Sequence, residues 1–219
     1  GFAAVQTDNG FLAVGGYNRE GCTPLVESFN VSRNAWDGFG ALKTNRARFA
    51  AVSVKGTLYA IGGSNGREEL ASLERCNAKT NQWEKMKATM YTARSCFAAA
   101  ELDGSVYAVG GSHYSSLLKS AEVFDPKTGH WQLLSSMPTA RSDLAVVSCG
   151  GKIYAIGGAT YGWRCVSTVE CYTPQTNSWQ TVASLMTTRR NAAAVTFDDR
   201  IYVIGGYDGR QVLTSVEMY

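Results

Sequence analysis

Charge, proline and histidine are scarce in this sequence of 219 residues. Charged residues make up 18% of the chain, and 21 Lys and Arg against 18 Asp and Glu leave a net charge of only +3. Such a balance creates no strong positive field for nucleic acid or for anionic lipid. No apolar run approaches the roughly 20 residues that cross a bilayer, and the chain does not open with a charged segment followed by an apolar one. We therefore expect neither a nucleic acid nor a membrane as a partner.

Patterns for metal binding and catalysis are missing as well. None of the six cysteines forms a CxxC pair or a Cys/His cluster with metal-ligand spacing, and the two histidines are His113 and His130. The sequence contains no Gly-x-Ser-x-Gly, HExxH or P-loop pattern. We expect no metal, no cofactor and no catalysis. A chain of this length does not need disulfides, so we expect free thiols and a cytoplasmic location, with the cytoskeleton or the nucleus as alternatives.

Glycine, by contrast, is abundant, at 23 residues, and it is placed periodically. Gly-Gly pairs recur at intervals of 47 or 48 residues, and a tyrosine stands three residues before each of the last four pairs. Self-similarity with this period marks an internal repeat. The pairs are Gly15 and Gly16, Gly62 and Gly63, Gly110 and Gly111, Gly157 and Gly158, and Gly205 and Gly206.

The residues that recur in phase with these pairs are predicted to build the scaffold. A glycine pair at the end of a second strand permits positive φ and a close approach of neighbouring backbones. Phased tryptophans are suited to fill the space between adjacent sheets, and phased Arg and Glu to form buried ion pairs or backbone hydrogen bonds. These residues are Trp36, Trp83, Trp131 and Trp179; Arg46, Arg94, Arg141 and Arg189; and Glu27, Glu74, Glu122, Glu170 and Glu217.

Each period predicts four short strands. In the second period, Lys55 and Gly56 separate two β-like runs, which predicts a hairpin. Residues 73–76 and 82–86 predict a third and a fourth strand, joined by a turn at 78–81. No segment carries a sustained 3.6-residue period. Four strands in 40 to 50 residues are typical of propeller blades, so the sequence predicts an all-β propeller of four-stranded antiparallel blades.

The order aromatic-x-x-Gly-Gly, x-Glu-x-aromatic, Trp and x-x-Arg resembles the kelch repeat. Residues 106–111, 120–126 and 137–141 are similar to repeats of the BTB-kelch proteins. The resemblance covers residues 1–219 and implies a kelch-type β-propeller, a fold that commonly has six blades in this family. Because five sets of first, second and third strands accompany four Trp-bearing fourth strands, we expect an incomplete part of such a ring. The resemblance also implies a BTB domain and a BACK-type linker outside this chain.

Residues that differ between the repeats are the candidates for binding, because propellers bind through loops at strand ends. The loops after the glycine pairs carry aromatic and arginine residues, which are typical of interface hot spots, and Trp163 is the one tryptophan out of phase. A second set lies two residues after the repeated arginine. The first set comprises Tyr17, Asn18, Arg19, Asn65, Arg67, His113, Tyr114, Tyr161, Trp163, Arg164, Tyr207 and Arg210, and the second Arg48, Cys96, Asp143 and Asn191.

The resemblance implies that both loop sets face a protein partner. Arg48, Arg67, Arg164 and Arg210 then resemble a ring that can grip acidic or polar peptide motifs. We expect a non-catalytic protein-interaction module, the substrate-recognition domain of a BTB-kelch adaptor for a Cullin-3 ubiquitin ligase. Cullin-3 itself would bind only through the BTB domain. An actin-associated cytoskeletal scaffold is the alternative.

Overall fold

The computed structural model describes residues 1–7, 9–77 and 80–219. Its regular structure is almost entirely β, with two short 3-10 turns at Tyr161–Trp163 and Pro174–Thr176. The chain forms two compact units, Gly1–Ser95 and Cys96–Tyr219, which we call unit 1 and unit 2. Among the described residues, no helix has the length and apolarity to cross a membrane.

Unit 1 contains two four-stranded antiparallel sheets and one short ribbon. Its strands are β1 (Ala3–Thr7), β2 (Gly10–Val14), β3 (Tyr17–Asn18), β4 (Gly21–Cys22), β5 (Leu25–Asn30), β6 (Ala35–Ala41), β7 (Ala50–Val54), β8 (Thr57–Ile61), β9 (Ser72–Asn77) and β10 (Gln82–Thr89). Blade 1 has the order β1-β2-β5-β6 and blade 2 the order β7-β8-β9-β10, while β3 pairs with β4. The first strands of the two blades, β1 and β7, lie side by side.

Unit 2 repeats this plan. Its strands are β11 (Ala98–Leu102), β12 (Ser105–Val109), β13 (Ser112–His113), β14 (Ser116–Leu117), β15 (Ala121–Asp125), β16 (His130–Leu133), β17 (Ala145–Cys149), β18 (Lys152–Ile156), β19 (Ala159–Thr160), β20 (Arg164–Cys165), β21 (Val169–Thr173), β22 (Ser178–Val182), β23 (Ala193–Phe197), β24 (Arg200–Ile204) and β25 (Val216–Met218). Blade 3 is β11-β12-β15-β16, blade 4 is β17-β18-β21-β22, and sheet 5 is β23-β24-β25. Here too the first strands are neighbours, β11 with β17 and β17 with β23. The predicted all-β fold of four-stranded antiparallel blades is confirmed.

The predicted turns explain why consecutive strands pair. Lys55 and Gly56 have φ values of 48° and 79°, the two positive values that a tight hairpin with strong twist requires. Of the predicted turn at 78–81, residues 78 and 79 lie outside the described residues. Its last residue, Asn81, donates its N–H to the carbonyl of Asn77 over 2.8 Å and has φ of 53°. The third and fourth strands of this blade extend one to three residues beyond their predicted bounds, because ladder hydrogen bonds continue past the apolar residues.

The glycine pairs lie where the chain leaves each second strand, as predicted. At Gly63, φ is +87°, and an added Cβ would lie 2.5 Å from the Cβ of Phe49 and 2.6 Å from the carbonyl oxygen of Ala47. A side chain at this position would meet both conformational strain and a steric clash. The pair is therefore a structural requirement of the blade, and no anion-binding role is needed to explain it.

The repeated arginine joins one blade to the next. Arg141 is fully buried, and its Nη1 donates to the carbonyl oxygens of Gly157 and Thr168, each over 2.9 Å, while Nη2 contacts Glu170 Oε1 at 2.6 Å. Its own carbonyl accepts the N–H of Gly111 in the preceding blade over 2.9 Å. The side chain thus fastens the second and third strands of blade 4, and the main chain fastens blade 3.

The same arrangement recurs in both units. Arg46 pairs with Glu74 at 3.0 Å, and Arg189 pairs with Glu217 at 2.9 Å. Burial lowers the pKa of Arg46 and of Arg141 below the ordinary range of an arginine, and the partner carboxylate opposes this shift. The prediction of buried ion pairs and backbone hydrogen bonds between blades is confirmed for these copies.

The phased tryptophans divide into two groups. Trp83 and Trp131 are buried, and Trp179 packs partly buried against the core of unit 2. The prediction that Trp36 belongs to the core is wrong, since half of its surface, 50%, is exposed. Its ring packs on Phe11 and Phe29 of its own blade, with centroid distances of 5.4 and 5.2 Å, so that one side of the indole faces solvent.

The phased tyrosine of blade 4 gives unit 2 a predicted sensitivity to alkaline pH. Burial raises the pKa of Tyr154 from 10.0 to about 12, with Cys171 as a further contributor. The folded chain then keeps a proton that the unfolded chain releases, so this stability is complete below pH 10.0 and is lost as the pH rises towards about 12. We expect Tyr154→Phe to reduce the alkaline loss of stability, measured as the urea midpoint at about pH 9 and about pH 11.

Tyr161→Phe, which alters a phenol on the surface, is the matched control. We expect it to lose stability with pH as the unchanged chain does. Burial also raises the pKa of Tyr107, Tyr172 and Tyr219, so part of the loss will remain in Tyr154→Phe. Identical pH profiles for the two variants would contradict the assignment to Tyr154.

Candidate functional site

Most of the predicted loop residues lie at the surface. The exposed ones are Tyr17, Asn18, Arg19, Arg48, Arg67, Tyr114, Tyr161, Trp163, Arg164, Asn191 and Arg210, and the half-buried ones are Asn65, His113, Asp143 and Tyr207. Three of the loops after the glycine pairs are built as two-stranded ribbons, β3 with β4, β13 with β14 and β19 with β20.

In unit 1 the structure brings Tyr17 and Arg48 together. The guanidinium carbon of Arg48 lies over the Tyr17 ring, 5.8 Å from its centroid. Asn18 and Asn65 serve their own loops, since the Asn18 side chain accepts the N–H of Glu20 and the Asn65 side chain accepts the N–H of Arg67, each over 2.9 Å. The side-chain oxygens of these two amides therefore shape turns in their own loops.

In unit 2 the loops of blade 4 and sheet 5 converge on one arginine. The guanidinium carbon of Arg190 lies 5.6 Å from the centroid of the Trp163 ring and 5.1 Å from that of Tyr207. We call these three residues the Arg190 cluster. Cation–π contacts of this kind favour Trp and Tyr as partners of Arg. Trp163 remains 68% exposed, so a large part of the indole is open to a partner.

The turn that carries Trp163 is conformationally unusual. Residues Tyr161–Trp163 form a 3-10 turn in which Gly162 has φ of 71° and Trp163 has φ of 60°. A bulky residue in the left-handed region is uncommon and costs free energy, and such positions concentrate at functional sites. The turn presents the indole at the tip of the ribbon formed by β19 and β20.

Arg190 itself was not among the predicted site residues. The sequence carries a signal for it, because the residue after the repeated arginine is small in the other repeats, Ala47, Ser95 and Ser142. These three are buried, whereas Arg190 is half-buried. A comparison of the residues directly after the repeated arginine in the four repeats would therefore have identified Arg190 as the exception.

The backbone of Arg190 is fixed, and its side chain lacks an acceptor. Its N–H and carbonyl exchange hydrogen bonds with Tyr207 over 3.0 and 2.9 Å. Nε is enclosed with no hydrogen-bond partner, and no ion pair within the described chain involves this guanidinium. The Arg190 cluster therefore holds a positive charge in place without neutralising it.

Arg190 and two carboxylates act electrostatically on one buried thiol of unit 2. Cys165 is buried, and burial raises the pKa of its thiol, with Arg190 opposing and Asp208 and Asp143 reinforcing the shift. Asp208 accepts the N–H groups of Gln211 and Arg210 over 2.8 and 2.7 Å, and these bonds lower its pKa. The Asp208 side chain therefore favours its ionised form and shapes its own loop.

The residues two positions after the repeated arginine share one backbone conformation. Their φ values lie between 51° and 53°, in the left-handed region, for Arg48, Cys96, Asp143 and Asn191. In unit 2 a hydrogen-bond chain connects three of them, from the Asn191 N–H to the Asp143 carbonyl and from the Asp143 N–H to the Cys96 carbonyl, each over 2.8 Å. The residue type at this position varies between the repeats in the sequence. The structure shows that the backbone conformation there stays the same.

Groups for metal chemistry do not converge in the described part of the chain. No set of three or more His, Cys, Asp or Glu side chains there could hold a metal ion. All six cysteines are free thiols. His113 packs edge-on against Tyr114, with ring centroids 4.5 Å apart.

Antiparallel blades with exposed aromatic and arginine side chains on their loops define a protein-interaction module of the β-propeller class. The family model described as the KLHDC2/KLHL20/DRC7 Kelch-repeats domain matches residues 1–206. This chain therefore belongs to the kelch-repeat domain family, whose domains are in general non-catalytic interaction modules.

Curated proteins similar to the chain are BTB-kelch proteins. The human Influenza virus NS1A-binding protein is 38% identical over 69 residues, a match that covers 32% of this chain and 11% of that protein. Human Kelch-like protein 40 is 36% identical over 92 residues, covering 38% of this chain and 15% of that protein. Kelch-like protein 40 of Xenopus laevis is 34% identical over 91 residues, with 37% and 15% covered. The matches thus span less than one sixth of these relatives. The predicted resemblance to BTB-kelch proteins is confirmed.

Proposed function

We propose that this chain is the substrate-recognition domain of a BTB-kelch adaptor, which recruits proteins to a Cullin-3 ubiquitin ligase in the cytoplasm. The kelch-repeat family and the BTB-kelch relatives support an interaction module. The recruitment of substrate to Cullin-3 is the proposed step. In this proposal the substrate binds to the loops of unit 2 that contain the Arg190 cluster.

The Arg190 cluster is the observation that carries this proposal. Trp, Tyr and Arg are the residues most enriched among interface hot spots, and the cluster contains one of each. The folded chain already holds Trp163 in its unfavourable left-handed conformation before a partner binds, so binding requires little further ordering of this turn. A structural role does not explain Trp163, because it lies outside the repeat phase and is not among the residues that pack in the clusters of buried apolar side chains described for residues 1–7, 9–77 and 80–219.

The test is affinity purification from cytosol with the natural polypeptide that carries this chain. The unchanged protein is compared with a variant in which Tyr161, Trp163 and Arg164 are replaced by alanine. We expect Cullin-3 in both purifications and the loss of one or more other proteins with the variant. Circular dichroism and thermal melting first establish that the variant is folded.

Met186→Ala is the matched control, since Met186 is an apolar side chain of unit 2 that is 95% exposed and is not one of the candidate binding residues. We expect it to retain every partner. Purification of actin without Cullin-3 would instead support the cytoskeletal scaffold. A partner set unchanged by the triple replacement would overturn the proposed binding surface.

A further inference from the structure

The junction between blade 3 and blade 4 is bonded differently from the junctions that Arg46 and Arg189 form. We propose that unit 2 opens first at this junction, and that the opening lets the loop of blade 3 move relative to the loops that carry the Arg190 cluster. Pro138 and Thr168 are the two residues that loosen it. Because the junction belongs to the fold, this role does not depend on recruitment to Cullin-3.

Two of the repeated glutamates receive a backbone hydrogen bond from the loop that connects two blades. Glu74 Oε2 accepts the N–H of Lys43 over 2.6 Å, and Glu217 Oε2 accepts the N–H of Met186 over 2.7 Å. Both donors stand three residues before the arginine that pairs with the same carboxylate. The connecting loop therefore holds each of these carboxylates through its main chain as well as through its arginine.

The junction of blades 3 and 4 cannot have this backbone donor. The residue three positions before Arg141 is Pro138, which has no N–H. Glu170 Oε2 is enclosed and has no hydrogen-bond partner among the described residues. A buried carboxylate oxygen without a donor costs free energy in the closed state, so the junction is weaker than the two in which the donor is present.

The hydroxyl beside the repeated arginine differs as well. Ser72 and Ser215 each accept a hydrogen bond from Nη2 of their arginine, over 3.0 and 2.7 Å. Blade 4 has Thr168 in this position, and its Oγ1 is enclosed without a partner in the described part of the chain. The β-branch of threonine restricts its χ1 rotamers, so the hydroxyl is less free to turn towards the guanidinium. Arg141 Nε also lacks an acceptor there, whereas Nε of Arg189 donates to its glutamate over 2.9 Å.

Blade 4 and sheet 5 stay together when the junction opens. Arg189 joins them through hydrogen bonds from Nε, Nη1 and Nη2, and the contacts of Arg190 with Trp163 and Tyr207 connect their loops. The Arg190 cluster therefore moves as part of one body. The loop of blade 3, which presents the exposed Tyr114, lies on the other side of the junction. Opening changes the spacing of these loops and leaves the cluster intact.

The test is native-state hydrogen exchange of the ¹⁵N-labelled full chain, followed by NMR. Two equivalent amides report on the two junctions of unit 2. The Asp143 N–H, bonded to the Cys96 carbonyl over 2.8 Å, crosses the junction of blades 3 and 4. The Asn191 N–H, bonded to the Asp143 carbonyl over the same distance, crosses the junction of blade 4 and sheet 5. We expect the protection factor of Asp143 to be at least about tenfold lower than that of Asn191.

Two replacements are expected to tighten the junction. Pro138→Ala supplies the backbone N–H that the other two junctions have, and Thr168→Ser supplies their serine hydroxyl. We expect each change to raise the protection factor of Asp143 at least about threefold, because a buried polar atom gains its partner, and to leave that of Asn191 unchanged. Unchanged exchange of Asp143 in both variants would contradict the proposed role of Pro138 and Thr168.

Two further variants are the matched controls. Pro126→Ala makes the same change to the unfolded chain, but Pro126 lies in the turn between β15 and β16, outside the loops before the repeated arginines. We expect it to raise neither protection factor. Ser215→Thr brings the β-branch to the junction of blade 4 and sheet 5 and is expected to lower the protection factor of Asn191 at least about threefold, without an effect on Asp143. Equal protection of the two amides in the unchanged chain would overturn the proposal.

Discussion

Replacing Arg141 with methionine is expected to destabilise unit 2 by about 3–5 kcal/mol, because the change leaves the Glu170 carboxylate buried without its partner. The lost hydrogen bonds to Gly157 and Thr168 add to the effect. The measurement is native-state hydrogen exchange of the amides in β18 and β21, which reports the opening of this unit.

A second change separates the buried charge from simple loss of packing. Replacing Glu170 with leucine in the Arg141→Met background is expected to recover part of the stability, since a buried pair exchanged for apolar groups is often tolerated. Arg75→Met is the matched control, because the ion pair of Arg75 with Glu84 is half exposed and its loss is expected to cost less than about 1 kcal/mol. Equal costs for Arg141→Met and Arg75→Met would show that the buried pair does not hold the blades together.

Replacing Trp163 with alanine is expected to weaken the binding of a unit 2 partner at least about 30-fold, which corresponds to the roughly 2 kcal/mol that defines a hot spot. The change removes both the exposed indole and one of the two rings that position Arg190. The measurement is isothermal titration calorimetry with a partner recovered in the affinity purification.

Trp163→Phe keeps a ring over Arg190 and is expected to retain a substantial part of the affinity. Met186→Ala, at a still more exposed apolar side chain, is expected to leave the affinity unchanged. Loss of affinity with Met186→Ala as large as with Trp163→Ala would place the binding surface elsewhere on unit 2.

The repeat made much of the scaffold predictable from the sequence. Lys55 and Gly56 form the predicted hairpin turn, and Arg46 and Glu74 form the predicted buried pair. The hairpin turn depends on local backbone conformation, and the buried pair involves residues that recur at the same place in several repeats. A wrong prediction in one repeat can therefore be corrected from the other repeats. The remaining differences are small, since the third and fourth strands of blade 2 extend only one to three residues beyond their predicted bounds.

Trp36 shows where that reasoning fails. Phase alone assigned it to the core, although the burial of a tryptophan depends on what covers its blade and not on its place in the repeat. Arg190 shows a different error. The candidate residues were taken from the loops after the glycine pairs and from the position two residues after the repeated arginine, whereas Arg190 lies directly after that arginine. Only the folded chain shows that this side chain meets Trp163 and Tyr207.

The shared left-handed backbone at Arg48, Cys96, Asp143 and Asn191 limits which amino acids can diversify this surface. Asn, Asp and Gly tolerate such φ values, whereas β-branched residues are strongly disfavoured. Evolution of new specificities at these four positions is therefore expected to avoid Val, Ile and Thr, as the Arg, Cys, Asp and Asn found there do. Trp163, with φ of 60°, shows that a bulky side chain can also be held in this region, at the tip of the ribbon formed by β19 and β20.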